Sequence, residues 1–443
     1  MTLARALSPN EAEFEFYNRR LSGALQMQLC LRLEGPLTFD VVQRALRLLQ
    51  QEHTLLQARI ASVNGTLHYE VDPALRLPAR QVARTGPEQW REVIREELNA
   101  SLNSSEGLMR VSYIPAGAGT ALHDIIIKSH HGIMDAAAMM RVYGRLMELC
   151  GELAAGKEPA PVAARPVSPP TTELLPLKGL ALGLKKARFM AHMMRTMMTK
   201  KPRPMPITDF APVSEQQSSF ADIRVPAEVL APLVERAREE RSSITAALAA
   251  AMLLTIRKSL PGEGPMNLAW LSPISYRNAI QSEFADPSHL AFAFGTGMFV
   301  NAVDARGTFW ELARATKANI EDFLQSQLHY TTPHLAKMRL SFFEKEKPPA
   351  MVLSFSNMGT FQVADTFGPL TLREIQFTPA IRGYGPLWVV HAYTYREELY
   401  IHLGFAQPLL RPEAARAWLD SVVGYLKEAV PRGNGLPPGA LRK

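Results

Sequence analysis

Ala121-Leu-His-Asp-Ile-Ile-Ile-Lys-Ser-His-His-Gly-Ile-Met-Asp-Ala136 is the stretch around which this chain is organised. Its apolar run, Ile125 to Ile127, is flanked by polar residues and reads as a buried strand. The run stops at His130-His131-Gly132, and an apolar helical pattern follows from Ala136 to Leu149. Two adjacent histidines therefore stand at a strand-to-helix junction, with a carboxylate, Asp135, four residues after the second. Loops carried by a rigid scaffold are where reactive side chains tend to be placed.

The chemistry this suggests is general base catalysis. Imidazole titrates near neutral pH, so His131 can take a proton from an alcohol or amine as that group attacks a carbonyl. Neighbouring side chains in an extended segment point to opposite faces. Only one histidine can face a given pocket, and the other turns into structure. Two roles are open to Asp135: it orients the reactive imidazole, or it turns away and pins the loop by pairing with an arginine elsewhere. No metal site is expected, because zinc-binding histidine pairs on a helix sit four apart and no third ligand stands at a useful spacing.

His130-His131-Gly132-Ile133-Met134-Asp135-Ala136 resembles the His-His-x-x-x-Asp-Gly motif of the condensation-domain and CoA-dependent acyltransferase superfamily. That group includes chloramphenicol acetyltransferase, peptide-synthetase condensation domains, polyketide-associated acyltransferases and wax ester synthases. Ala136 replaces the usual final glycine, which bears on local backbone geometry more than on the base. The resemblance implies an α/β fold: two chloramphenicol-acetyltransferase-like lobes, each a mixed sheet covered by helices, joined as a pseudo-dimer with a central tunnel. It implies that His131 is the base, that His130 and Asp135 support the site, and that a monomer suffices.

Three further strings follow in the same order as in that superfamily. Pro273-Ile-Ser-Tyr-Arg277 is similar to its Pro-x-x-x-Arg string, which implies that Arg277 is the partner of Asp135. Gly297-Met-Phe-Val-Asn301 looks like its Gly-x-Phe-x-Asn string. Ser354-Phe-Ser356-Asn357-Met-Gly359 resembles the Ser-Asn-x-Gly element of polyketide-associated acyltransferases and wax ester synthases. Gly132, Asn301, Ser356, Asn357 and Gly359 are thereby candidates to line the tunnel or hold an oxyanion. The Asp-Phe-Gly-Trp-Gly motif of plant acyltransferases is absent; its closest local analogue is Arg382-Gly-Tyr-Gly385.

Composition sets outer bounds. The 443 residues are 47% hydrophobic and 21% charged, enough for one or two full cores. A net charge of +7 is modest and lacks the clustered basicity of a nucleic-acid binder. It suits a phosphate-bearing thioester such as acyl-CoA, or an acidic carrier protein, without distinguishing them. Two cysteines, Cys30 and Cys150, argue against a disulfide framework and suit a reducing cytoplasm. The first residues lack the apolar core of a signal peptide. The longest apolar run, Ile244 to Ile256, is too short to span a bilayer and reads as a buried helix.

Local signals divide the rest. Ser8-Pro9-Asn10-Glu11 is a capping box with proline at the first helical position. A strand with Leu25, Met27, Leu29, Leu31 and Leu33 on one face follows, then a helix capped by Thr38. Asn64-Gly65 marks a hairpin. Gly151-Glu-Leu-Ala-Ala-Gly-Lys157 imitates a phosphate-binding loop but follows a helix, and Glu158 stands where a Ser or Thr is required. His53 is expected to be structural. These signals give an N-terminal lobe over 1–156, a Pro-rich linker over 157–215, a C-terminal lobe over 216–430 and a disordered tail over 431–443.

The linker carries a basic, Met-rich amphipathic helix over 177–201. Packing on its own domain, or roofing an acyl tunnel, is the expected role; peripheral membrane contact is the other reading. The resemblance implies an acyltransferase that draws on an acyl-CoA or phosphopantetheinyl carrier-protein thioester, with no bound cofactor, and transfers to an alcohol or amine. Ester formation is preferred over an amide-forming condensation enzyme or a catalytically silent carrier-binding module. The expected location is cytoplasmic or membrane-peripheral.

Overall fold

The strand Met27–Glu34 is buried along both faces, although its sequence alternates. It lies at the middle of a six-stranded sheet, and a helix covers the face that carries Gln28, Cys30 and Arg32. Gln28 Nε2 donates to the Ile94 carbonyl (3.1 Å), and Arg32 pairs with Asp124 (2.8 Å), so the polar alternation is satisfied inside the protein. The computed structural model that shows this describes residues 2–344, 353–383 and 388–430.

In spatial order the first sheet contains Thr366–Phe367, Leu370–Phe377, Met27–Glu34, Leu122–Ser129, Met109–Ile114 and Ala79–Gln81. The second contains Phe294–Val303, Met266–Ser275, Leu353–Thr360, Trp388–Tyr395, Glu398–Gln407 and Gln217–Val225. Both are mixed. Ala79–Gln81 runs parallel to its neighbour, and Leu353–Thr360 runs parallel to both of its own. Helices cover each sheet, as the α/β expectation required. The Asn64-Gly65 hairpin forms in a small third sheet, with positive φ at both residues (50° and 77°) as its turn demands.

One expected boundary changes. Residues 366–377 were assigned to the C-terminal lobe, but they leave it and pair with Met27–Glu34 in the first sheet. Leu370, Leu372 and, past a register shift, Ile375 are buried in the first core, which captures the segment. The crossing passes over Gly151 so closely that a Cβ there would lie 2.3 Å from the Phe367 carbonyl oxygen. The 157–215 linker packs against the second lobe. It holds the helix Gly179–Lys200, and Thr171 Oγ1 lies 2.9 Å from the Tyr276 hydroxyl inside the second lobe. The 431–443 tail lies outside the described residues, as do Tyr384 and Gly385.

The helix Pro9–Arg20 begins as its capping box dictates: Ser8 N–H donates to Glu11 Oε2 (2.7 Å), and Ser8 Oγ accepts from Glu11 N–H (3.4 Å). Its acidic residues are buried because each meets a partner. Glu11 binds Arg5, Glu13 binds Arg339 of the second lobe, and Glu15 binds His130. This helix ties the two lobes together beside the His-His loop. The helix Ile244–Ser259 is buried continuously from Ala246 to Arg257, where its run of small residues permits close packing.

Candidate active site

The strand Leu122–Ser129 ends directly at the histidines, and a single 3₁₀ turn, His131–Ile133, leads to the helix Ala136–Ala154. The adjacent imidazoles diverge, as an extended backbone requires. His130 is completely buried. Its Nδ1 accepts from Gly132 N–H (3.0 Å), so its Nε2 carries the proton and donates to Glu15 (3.0 Å). Burial alone would raise the Glu15 carboxyl. The His130 ring, Ser104 and Arg19 overcome that and hold it down at about 2.

His131 turns the other way, into a cavity of about 2030 Å³ between the lobes. Its N–H donates to Gln26 Oε1 (2.8 Å), and its ring packs among Phe14, Phe292 and Phe294 at centroid distances of 4.7, 5.7 and 5.3 Å. Nδ1 lies 2.9 Å from the Met134 carbonyl oxygen. A carbonyl can only accept, so Nδ1 holds the proton and Nε2 is the basic nitrogen. Nε2 has no hydrogen-bond partner among the described residues. Burial lowers the His131 pKa, partly offset by the Met134 hydrogen bond, so the ring is neutral at neutral pH.

Asp135 makes no hydrogen bond to His131. Its carboxylate caps the following helix through Ala138 N–H (3.0 Å) and receives a two-pronged pair from Arg277, at 2.7 and 3.1 Å. Arg277 also donates to the carbonyls of Ala291, Phe284 and Asp286, at 3.1, 3.2 and 3.2 Å. Of the two roles open to Asp135, the geometry selects the pin between lobes.

The second lobe opens where its sheet splits. Leu353–Thr360 pairs with Met266–Ser275 only at Leu353 and Ser354, and continues along Trp388–Tyr395 alone. Pro273, Ser275, Ser356 and Asn357, just past the split, line the cavity.

A profile described as the phthiocerol/phthiodiolone dimycocerosyl transferase C-terminus matches residues 214–404. Solved structures match nearly the whole chain. The trichothecene 15-O-acetyltransferase from Fusarium sporotrichioides superposes with a TM-score of 0.76 at 13% identity, over 96% of this chain and 95% of that one. Polyketide synthase associated protein 5 from Mycobacterium tuberculosis gives 0.70 at 15% identity, over 97% and 99%. The first condensation domain of the CDA synthetase gives 0.71 at 14%, over 97% and 98%. The chain therefore has the fold of these acyltransferase and condensation-domain structures, and its second half matches the dimycocerosyl transferase profile. Among curated proteins, no sequence matches it.

Several residues singled out in the sequence sit away from the cavity. Asn301 does not line it: Oδ1 accepts from Trp270 Nε1 (3.1 Å) and Nδ2 donates to Thr316 (3.0 Å) in the second core. Its strand explains why. Phe294, Thr296 and Met298 face the cavity, so Phe299, Asn301 and Val303 face the opposite way. Gly132 is buried with its N–H committed to His130, and Gly359 is exposed at φ +71°. Asn357 lines the cavity, but its amide donates to Thr245 (2.8 Å) and accepts from Gly359 N–H (3.1 Å). Ser356 lines the cavity and its hydroxyl has no partner among the described residues.

Other lining residues escaped sequence reasoning. Phe14, Phe292 and Phe294 surround the His131 ring and Gln26 accepts its backbone N–H, yet each is an ordinary apolar or polar position in its own segment. His391, paired across the sheet with Ser356, also lines the cavity. Its ring stacks on Phe377 at 4.4 Å, and burial, with His402 and His131 nearby, lowers its pKa to about 3. His53 lies in the same wall and is lowered to about 3 by burial and by Arg165. Among the described residues, no three or more His, Cys, Asp or Glu side chains are grouped to hold a metal ion.

Proposed function

We propose that this chain is a member of the condensation-domain and CoA-dependent acyltransferase superfamily and transfers an acyl group from a CoA or carrier-protein thioester to a hydroxyl acceptor, with His131 as general base. The observation that carries this reading is the fixed tautomer: Nδ1 donates to the Met134 carbonyl, leaving a basic Nε2 within a cavity built from both lobes. In the reaction the acceptor O–H gives its proton to Nε2 while its oxygen attacks the thioester carbonyl. The tetrahedral intermediate collapses, the C–S bond breaks, and the thiolate takes the proton back from the imidazolium. No bond to the enzyme is formed.

Of the residues proposed for the oxyanion, Ser356 fits best, since its hydroxyl is uncommitted while the Gly132 N–H and the Asn357 amide are in use. Asp135 and Arg277 act on the loop and not on the acceptor. A hydroxyl acceptor is preferred because one structural relative is an O-acetyltransferase, and the Ser354–Gly359 string resembles that of ester-forming relatives. Carrier-bound donors remain a natural alternative, since other relatives are synthetase condensation domains.

The test is thiol release from acyl-CoA and acyl-carrier-protein thioesters, offered with mixed alcohols and amines, by wild type and His131→Ala. Acceptor-dependent release that disappears in the variant supports the reading, and the ester or amide product names the branch. Equal turnover by both proteins rejects His131 as base. Carrier binding without turnover by either would make the chain a recruitment module.

A further inference from the structure

The helix Gly179–Lys200 is amphipathic in the reverse sense. Its apolar stripe, Leu180, Leu184, Ala187, Ala191, Met194 and Met198, runs along one side of the helical wheel. A helix packed on its own domain buries such a stripe. Here the stripe faces solvent: Leu180 is 80% exposed, Leu184 64%, Met194 61% and Met198 68%. The opposite side is the one that packs, with Phe189 buried and Met190 and Met193 in the cavity wall. One face of this helix therefore roofs the reaction cavity while the other offers a long apolar ridge outward.

The charge around the ridge is equally one-sided. Between residues 174 and 208 the chain has eight Lys or Arg and no Asp or Glu. Since the whole chain has 49 basic against 42 acidic residues, this segment accounts for its entire positive excess. Arg188 and Arg195 border the ridge directly on the wheel. Among the described residues, Lys185 and Lys200 hydrogen-bond to neutral groups, the Gln327 side chain and the Val300 carbonyl.

We infer that this helix is a membrane-docking surface, which lies in the plane of an anionic lipid bilayer with Leu180, Leu184, Met194 and Met198 among the acyl chains and its cations at the headgroups. The ridge from Leu180 to Met198 extends roughly 27 Å at the helical rise, which suits a flat surface. No helix among the described residues is long and apolar enough to cross a membrane, so the contact is peripheral. A second copy of the chain would oppose this cationic border with another. An acidic carrier protein would satisfy the charges but would leave the long apolar ridge without a matching surface. A bilayer supplies both, and the cavity beneath the helix lies next to where a lipid-borne acyl chain would arrive.

The test is flotation of the full chain with vesicles of phosphatidylcholine alone and of phosphatidylcholine mixed with phosphatidylglycerol, at low and high salt. The wild type is expected to float with the anionic vesicles and be released by salt. A variant carrying Leu184→Asp, Met194→Asp and Met198→Asp should lose at least about tenfold in bound fraction. These side chains are exposed and outside the cavity wall, so its melting temperature and its turnover of a soluble short-chain thioester should match wild type. The inference is overturned if the wild type stays at the bottom with anionic vesicles, or if the variant floats equally well. It is also overturned if the wild type ignores both vesicles yet binds an immobilised acidic carrier protein through these residues. Flotation is read without turnover, so its failure leaves the acyl-transfer reading standing, and the reverse holds too.

Discussion

Asp135 faces Arg277, and its carboxylate is held by two guanidinium bonds of 2.7 and 3.1 Å from the other lobe. Both side chains are buried, at 7% and 6% exposure. Arg277→Ala would leave Asp135 buried and without its partner, at a cost of roughly 3–5 kcal/mol. Chemical denaturation is expected to show that loss. Arg277→Lys should recover only part of it, since a lysine lacks the planar fork and cannot reach the same three carbonyls. The pin reading also predicts that Asp135→Asn destabilises the fold while leaving the acidic limb of the rate profile almost unmoved. A large shift of that limb would mean that Asp135 acts on the imidazole after all.

The two histidines should fail in different ways. His131→Ala removes the proposed base from a half-buried position and is expected to reduce kcat/KM by about 10²–10⁴-fold with little change in melting temperature. His130→Ala removes the partner of a buried carboxylate, Glu15, and is expected to lower the melting temperature clearly. In the proposed mechanism the rate requires neutral His131. Burial lowers its pKa, so activity should persist below the ordinary histidine value of about 6.5 and fall only at more acidic pH. Thermal melts and pH–rate profiles of the two variants separate the assignments; identical stability losses would contradict them.

Much of this was legible in the sequence because it was local. The strand–His-His–helix junction, the Ser8 cap and the Asn64-Gly65 turn are each set by residues a few positions apart. The pairing of Arg277 with Asp135 was reachable only through the resemblance, since no local pattern links residues 142 positions apart. What escaped was set by tertiary geometry. Strand alternation sends Asn301 to the core and Phe294 to the cavity, but the string containing Asn301 does not reveal which face is which. The crossing of 366–377 depends on a hydrophobic segment being captured by a distant sheet. The stripe on Gly179–Lys200 was visible, whereas its outward direction was not.

Gly151 offers a direct test of that crossing. It stood out in the sequence only as part of a false phosphate-loop pattern. In the fold it is the point where the helix Ala136–Ala154 meets Phe367, and an added Cβ would stand 2.3 Å from a backbone carbonyl oxygen that no side-chain rotation can move. Gly151→Ala is therefore expected to destabilise by about 1–3 kcal/mol, despite alanine's better helix propensity. Gly144, in the same helix, has open space at its Cβ, and Gly144→Ala should be neutral or stabilising. If both variants stabilise the protein, the 366–377 segment does not cross where it is described.

The buried imidazoles make stability depend on pH in a defined direction. His53 and His391 are lowered to about 3, and His402 to about 4, in each case chiefly by burial. In the unfolded chain each would take up a proton near pH 6.5. Below that value the unfolded state holds more protons than the native one, so stability must fall as pH falls. The loss accumulates from about 6.5 down to the native values. Glu15 adds to it at the acidic end, since its native value of about 2 lies below the ordinary carboxylate range. Urea midpoints should accordingly decline steadily as the pH is lowered below about 6.5. His391→Phe should keep the stacking on Phe377 while removing one site of proton uptake, giving a shallower decline than wild type. An unchanged slope in that variant would show that His391 is already protonated in the native protein.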